Sequence, residues 1–329
     1  MDRLSMSMSE GIECDGRSKV HLRRQEWTKN FSGVVVRLAV LCILPLLACQ
    51  KPVEQLQLPP VPKREIIRYR LETIPQGTTE SQQISVSQPK PLDKPHRPDY
   101  AARRKELQTR FSPEQLQILE KLNRSDLNHI AQLPLLVIPE VWRPNELVYS
   151  PLPWWYPWAA QHAKALVIHQ PSQTFGGYES GRLVHWGPIS SGDKTSLTPS
   201  GFFHLTWKDE GRRSTVDEDW FMPWYFNFHN DFGLSLHQYA LPGYPASHAC
   251  ARLLERDAQW LYHWGEEWAL DERGWNVLKT GTPLLIIGHY NFDAPPPWRS
   301  IAWLHQEVEL PANPPLEHDP PVLSGPAGP

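Results

Sequence analysis

Between Trp142 and Phe292 the apolar residues come in runs of strand length, each cut short by glycine, proline or serine. This pattern narrows the choice of fold more than any other feature, because a chain interrupted so often cannot sustain long helices. Ala165 to Gln170 is one such run. Gly176-Gly177 and Ser180-Gly181 bound a second, and Arg182 to Ile189 comes next. Gly201 to Trp207, Trp220 to Phe228 and Leu234 to Tyr239 continue the set, and Pro283 to His289 closes it. One helix stands out, with Leu253, Leu254, Leu261 and Trp264 on one face and Glu255 and Arg256 turned away. The expected fold class is mainly β, over residues 146–292, with one or two short helices.

The flanks read differently. Residues 49–100 are rich in Pro, Gln and Ser without a sustained apolar period, which predicts a flexible tether. Residues 101–145 turn helical. Ser112-Pro113-Glu114-Gln115 has the form of a helix start, and Leu116, Leu119 and Leu122 succeed it at helical spacing. The stretch Leu119 to Pro139 faintly resembles the back half of a LysM glycan-binding module whose first half is not recognisable. A small helical brace is the alternative. Residues 293–329 are Pro-rich, and a loosely ordered tail is expected there.

The first residues look like an export signal. Arg23, Arg24, Lys29 and Arg37 precede an apolar run from Leu38 to Leu47, too short to span a bilayer. The run ends Leu46-Leu47-Ala48-Cys49, which resembles the lipobox of bacterial lipoproteins. That resemblance implies cleavage after residue 48 and lipidation of Cys49. It also implies a periplasmic protein held to a membrane by its lipid. Gln50 after the cysteine implies, by lipoprotein habit, the outer membrane of a Gram-negative bacterium. Without residues 1–48, 26 basic residues face 31 acidic ones. No basic stripe is present, so nucleic acid is not an expected partner.

Of the four cysteines, Cys14 and Cys42 lie in the leader and Cys49 ends it, which leaves Cys250 alone. Thiols in exported proteins usually pair, so a lone one near histidines and an arginine is a candidate nucleophile. The neighbourhood is Leu236-His237-Gln238-Tyr239, a Pro/Gly loop, then Ser247-His248-Ala249-Cys250-Ala251-Arg252. An imidazole and a helix starting just after Cys250 would both favour the thiolate. Two other readings stand beside this one: an inert packed thiol, and a zinc site built from His237, His248 and Cys250.

These residues resemble the catalytic domain of L,D-transpeptidases (the YkuD-type fold), whose signature is a His, a variable loop, then Ser/Thr-His-Gly-Cys-x-Arg. Thr198-Pro199-Ser200-Gly201-Phe202, Ser190-Ser191-Gly192 and Gly281-Thr282-Pro283-Leu284 match further family segments in the same order. The resemblance implies a β-sandwich or barrel in which Cys250 is the nucleophile and His237 its base. The backbone carbonyl of Gln238 would orient the imidazole, and His248, Ala249 and Cys250 would form the oxyanion site. Arg252 and Ser247 would support the loop or bind substrate. No metal or other cofactor is implied. The expected partners are peptidoglycan stem peptides, with another stem, a wall-attached protein or water as acyl acceptor. Three departures stand out. Gln238 and Ala249 occupy positions where the family has Gly, and the loop between His237 and Cys250 is short. A wall-protein amidase of the same fold and a non-catalytic peptidoglycan-binding lipoprotein are the alternatives. Fourteen of the fifteen tryptophans lie between Trp142 and Trp303. His204, Trp207, Trp220 and Trp224 are candidates to line a substrate channel.

Overall fold

The computed structural model describes residues 65–73, 99–214, 217 and 219–314. The leader, Cys49, most of the expected tether and the tail from residue 315 lie outside them. The described chain begins with a strand, β1 (Tyr69–Thr73), inside the stretch expected to be a tether. Helix α1 (Tyr100–Arg110) starts where the Asp99 carboxylate accepts the amides of Ala101 and Ala102. Helix α2 (Pro113–Asn123) starts at the expected capping box. Ser112 Oγ accepts the Gln115 amide at 3.3 Å, and the Gln115 side chain accepts the Ser112 amide at 3.0 Å. A short α3 (Leu127–Ile130) leads to β2 (Leu135–Pro139), which pairs antiparallel with β1, Leu71 opposite Val137. The tether reading is therefore corrected over residues 65–73. Ile67 and Tyr69 alternate with Arg68 and Arg70, and that period of two buries both apolar side chains in the core.

The helical segment shares its core with the strands of the main sheet. Ile118, Leu122 and Val137 pack in one cluster with Val167, Tyr178, Trp186 and Leu285, so no seam falls at residue 145. Two cations are sunk in this region. Arg124 is 1% exposed, donates to the Ser172 and Leu122 carbonyls at 2.9 and 3.2 Å, and stacks over Trp186 and Trp298. Lys121 is equally buried. It donates to the Trp186 carbonyl and to Glu146, both at 2.8 Å, with Asp257 Oδ1 at 4.0 Å.

The remaining elements are β3 (Lys164–His169), β4 (Thr174–Glu179), β5 (Arg182–Ser190), β6 (Gly201–His204), β7 (Lys208–Arg213), β8 (Phe221–His229), β9 (Leu234–Gln238), β10 (Ala251–Leu253), α4 (Glu255–Trp264), β11 (Ala269–Leu270), β12 (Val277–Lys279), β13 (Pro283–Ile287) and α5 (Ile301–Leu304). Nine of the strands form one sheet in the order β6-β13-β3-β4-β5-β10-β9-β8-β7. Only β13/β3 and β10/β9 are parallel pairs within it. Alternate residues of β3 serve different cores: Ala165 and Val167 join the cluster that holds the helical segment, and Leu166 and Ile168 face the other way. The second cluster combines Phe203 and Leu284 from one end of the strand order with Phe226 and Leu236 from the other. The sheet is therefore curled over its own core, the mainly β architecture expected.

Three expectations change. Gly176-Gly177 lie inside β4 rather than bounding it, and a Cβ on Gly177 would sit 2.3 Å from the Trp260 ring. The helix after Cys250 starts at Glu255, because β10 intervenes to fill the gap between β5 and β9. Cys250 thus stands at the head of a strand, without the help of a helix terminus. The tail is docked through residue 311. Trp298 is fully buried in the first core, Val308 N donates to the Pro151 carbonyl at 2.9 Å, and Tyr156 Oη donates to the Pro311 carbonyl at 2.7 Å.

Candidate active site

The parallel register of β9 and β10 brings the two halves of the candidate site together. Arg252 stands opposite His237 and Ala251 opposite Leu236, which puts Cys250 beside Ser235. Residues two apart on a strand share a face, so Ser235, His237, Cys250 and Arg252 all project to the same side. That side opens on a cavity of about 620 Å³ lined by His237, Cys250, Arg252, Trp207, Trp220 and Arg212, among others.

The imidazole is buried, 4% exposed, and its Nδ1 lies 3.0 Å from the Gln238 carbonyl. A carbonyl only accepts, so Nδ1 carries the proton and Nε2 keeps a lone pair. Burial pulls the His237 pKa down to about 4, against the Gln238 bond, which raises it, and with the Arg252 charge, which lowers it further. The ring is therefore neutral at pH 7 and able to accept a proton. Burial pushes the Cys250 thiol up from its ordinary value; the Ser235 hydroxyl, the Ser235 amide and Arg252 oppose that in part. The resting pair is thus a neutral thiol and a neutral imidazole. Sγ forms its hydrogen bond with Ser235 Oγ, at 3.5 Å, and among the described residues it forms none with His237.

The loop that carries Cys250 is clamped by the segment after β5. Asp193 N donates to the Ser247 carbonyl at 2.8 Å, and Ser247 N to the Ser191 carbonyl at 2.9 Å. Thr198 Oγ1 accepts the Gly192 amide at 2.8 Å and donates to the Cys250 carbonyl at 3.3 Å. Gly192 has no room for a side chain, since a Cβ would lie 2.0 Å from the Ser196 carbonyl oxygen. The Asp193 carboxylate accepts from Thr195 and Ser196, turning the chain so that Ser196 O accepts the Ala249 amide at 3.0 Å. That last bond changes the expected oxyanion site: the Ala249 N–H is occupied. The His248 and Cys250 amides make no hydrogen bond among the described residues and are the donors that remain. Ala249 is fully buried with φ +69°, so it adopts the left-handed backbone that glycine takes without strain.

The other expected residues divide between the cavity and its supports. Ser247 is buried and acts through its backbone clamp. His248 is exposed, its ring 4.9 Å from that of Trp220. Arg252 lies over the Tyr239 ring at 4.7 Å and donates to the Ala240 carbonyl at 3.5 Å. Trp207 and Trp220 line the cavity. His204 instead packs on Phe202, and Trp224 on Tyr262. Among the described residues no three His, Cys, Asp or Glu side chains converge as a metal-ligand set. Sequence reasoning missed Ser235, Tyr225 and Arg212. Ser235 carried a usable signal, since it lies two residues before His237 in a strand. Arg212 carried none, because β7 has no apolar pattern.

Residues 163–286 match the family described as the L,D-transpeptidase catalytic domain, YkuD. A comparison with curated proteins returns no match. Among solved structures, the chain is similar to an L,D-transpeptidase from Stackebrandtia nassauensis at 22% identity, covering 40% of this chain and 58% of that one, with a TM-score of 0.32. It is similar to one from Mycobacterium smegmatis at 17% identity, covering 38% and 59%, with a TM-score of 0.31. A third, from Xylanimonas cellulosilytica, has 23% identity over 54% and 81%, with a TM-score of 0.36. The chain thus spans just under three fifths of the first two of these relatives.

Proposed function

We propose that this chain is a cysteine-dependent acyltransferase acting on peptidoglycan, with Cys250 as nucleophile, since residues 163–286 match the L,D-transpeptidase catalytic domain, YkuD. The observation that carries the reading is the neutral His237 beside the same cavity as the thiol, its Nδ1 held by Gln238 and its Nε2 left as proton acceptor.

The chemistry is set by the protonation states. A neutral thiol has to lose its proton as it attacks, and His237 Nε2 is the base on that face. Sulfur bonds to the carbonyl carbon of the third residue of a tetrapeptide stem, and the carbonyl electrons move to oxygen. The His248 and Cys250 amides receive that charge; one such donor is worth about 2.7–4 kcal/mol of barrier. The imidazolium then returns its proton to the departing D-alanine nitrogen, leaving a thioester on Cys250. An amine from another stem or from a wall-attached protein attacks the thioester, with His237 again taking the proton. Water in that role makes the product a shortened stem, the carboxypeptidase outcome. Arg252, on the same face, suits a stem carboxylate.

The test uses the full chain in detergent with purified disaccharide-tetrapeptide, read by mass spectrometry. Loss of D-alanine or a dimer of stems is expected, and neither should occur with Cys250→Ser. A folded, reduced protein that yields neither product moves the assignment to a peptidoglycan-binding lipoprotein. The lipid anchor belongs to the same proposal. Cys49→Ala should shift the protein from the membrane to the soluble fraction, and unchanged fractionation would refute lipidation.

A further inference from the structure

The thiol's own hydrogen bond points to a second group acting on Cys250 besides the histidine. Ser235 is fully buried, and its Oγ lies 3.5 Å from Sγ. The Tyr225 phenol, 2% exposed on the neighbouring strand β8, lines the same cavity as Cys250. The protons of this array can be counted. Tyr225 Oη lies 3.1 Å from the Gly233 carbonyl, and a carbonyl can only accept, so the phenolic proton is committed there. Asn227 Nδ2 donates to the same Oη at 3.1 Å, and Asn227 Oδ1 accepts from Thr206 Oγ1 at 2.8 Å, which fixes the amide orientation. The phenol therefore has no proton to offer the sulfur.

Ser235 has one hydroxyl proton to offer. While Cys250 is a thiol, S–H can donate to Ser235 Oγ. Once the thiol proton is lost, the serine proton can turn to the sulfur. We propose that Ser235 is a positioning residue that stabilises the Cys250 thiolate and aims the sulfur into the cavity. The inference rests on Cys250 being the nucleophile proposed above. The other charged or titratable groups lining the cavity are Arg212 on β7, Tyr225 on β8, Asp231 before β9, His237 on β9, Tyr239 after it, His248 and Arg252 on β10. All of them are retained in the variants that test it.

The experiment measures the rate of Cys250 alkylation by iodoacetamide against pH in the full chain, read on the Cys250 peptide by mass spectrometry. A hydrogen bond to a charged group is worth enough that Ser235→Ala should move the thiol titration up by about one pH unit and slow alkylation at pH 7 about tenfold. Ser235→Thr should restore the parent profile. Superimposed profiles for Ser235→Ala and the parent overturn the proposal. So does a shift that Ser235→Thr fails to restore, because packing alone would then account for it. Alkylation needs no peptidoglycan. A profile that depends on Ser235 in a protein that never processes stems would sink the acyltransferase reading and leave this inference standing.

Discussion

Replacing Lys121 by Met should destabilise the protein by about 3–5 kcal/mol, the usual cost of breaking a buried ion pair from one side. The ammonium is 1% exposed, donates to the Trp186 carbonyl and Glu146, and has Asp257 as an ion-pair neighbour at 4.0 Å. Glu146 is 37% exposed at its side chain and can turn to water, but Asp257 is fully buried and cannot. Burial pushes the Asp257 carboxyl up; Lys121 and His185 more than reverse this and hold it below the ordinary range. With Lys121 gone, His185 Nε2 at 2.9 Å from Oδ1 is the close side-chain partner left, and Oδ2 already has none among the described residues. Met keeps most of the apolar stem, so little packing is lost and the effect isolates the charge. Urea unfolding monitored by tryptophan fluorescence measures it. The pair Lys121→Met with Asp257→Asn should recover much of the loss, since it removes the stranded charge as well. A loss below about 1 kcal/mol for Lys121→Met, or a double variant as weak as the sum of the singles, would refute the reasoning.

Ala249→Gly relieves a left-handed alanine, which costs about 1–2 kcal/mol, but gives up a buried methyl worth about 0.8 kcal/mol and adds freedom to the unfolded chain. Stability should change little, and acylation of Cys250 by a carbapenem should be preserved or faster; a large loss of rate would show that the methyl positions the loop. Stability should also depend on pH through His237, whose pKa in the folded protein is about 4. Its contribution is complete above the unfolded value near 6.5 and is lost as pH falls toward 4, by at most about 3 kcal/mol. Urea midpoints at pH 8, 6 and 5 should fall accordingly, and His237→Gln should flatten the trend. An equally steep trend in that variant would assign the dependence to other groups.

Much of the strand set and the Cys–His pair is readable from the chain, because strand-length runs and turn residues are local signals. The features that escaped had nonlocal causes. Gly176 and Gly177 look like punctuation, yet they sit in mid-strand: Trp260, more than eighty residues later, packs on Gly177, and Leu152 and Leu183 close on Gly176. β7, with Lys208, Arg212 and Arg213, has no apolar period and gains its place from pairing with β8. β10 is three residues long and merges, in the sequence, with the helix after it. In the site, His237 and Cys250 are legible as types in a motif. The Ala249 amide could not be assigned without knowing that Ser196 folds back to accept it.

Strand β1 sets a limit on where the site can work. For a protein anchored at Cys49, a leash running to the helices at residue 101 would cover a contour of about 180 Å at roughly 3.5 Å per residue. Pairing of Tyr69–Thr73 with β2 takes up the chain long before that point. Only about sixteen residues, from Cys49 to Glu65, are left to span the distance, about 55 Å even if fully drawn out. An enzyme so attached would serve only the layer of wall nearest its own membrane.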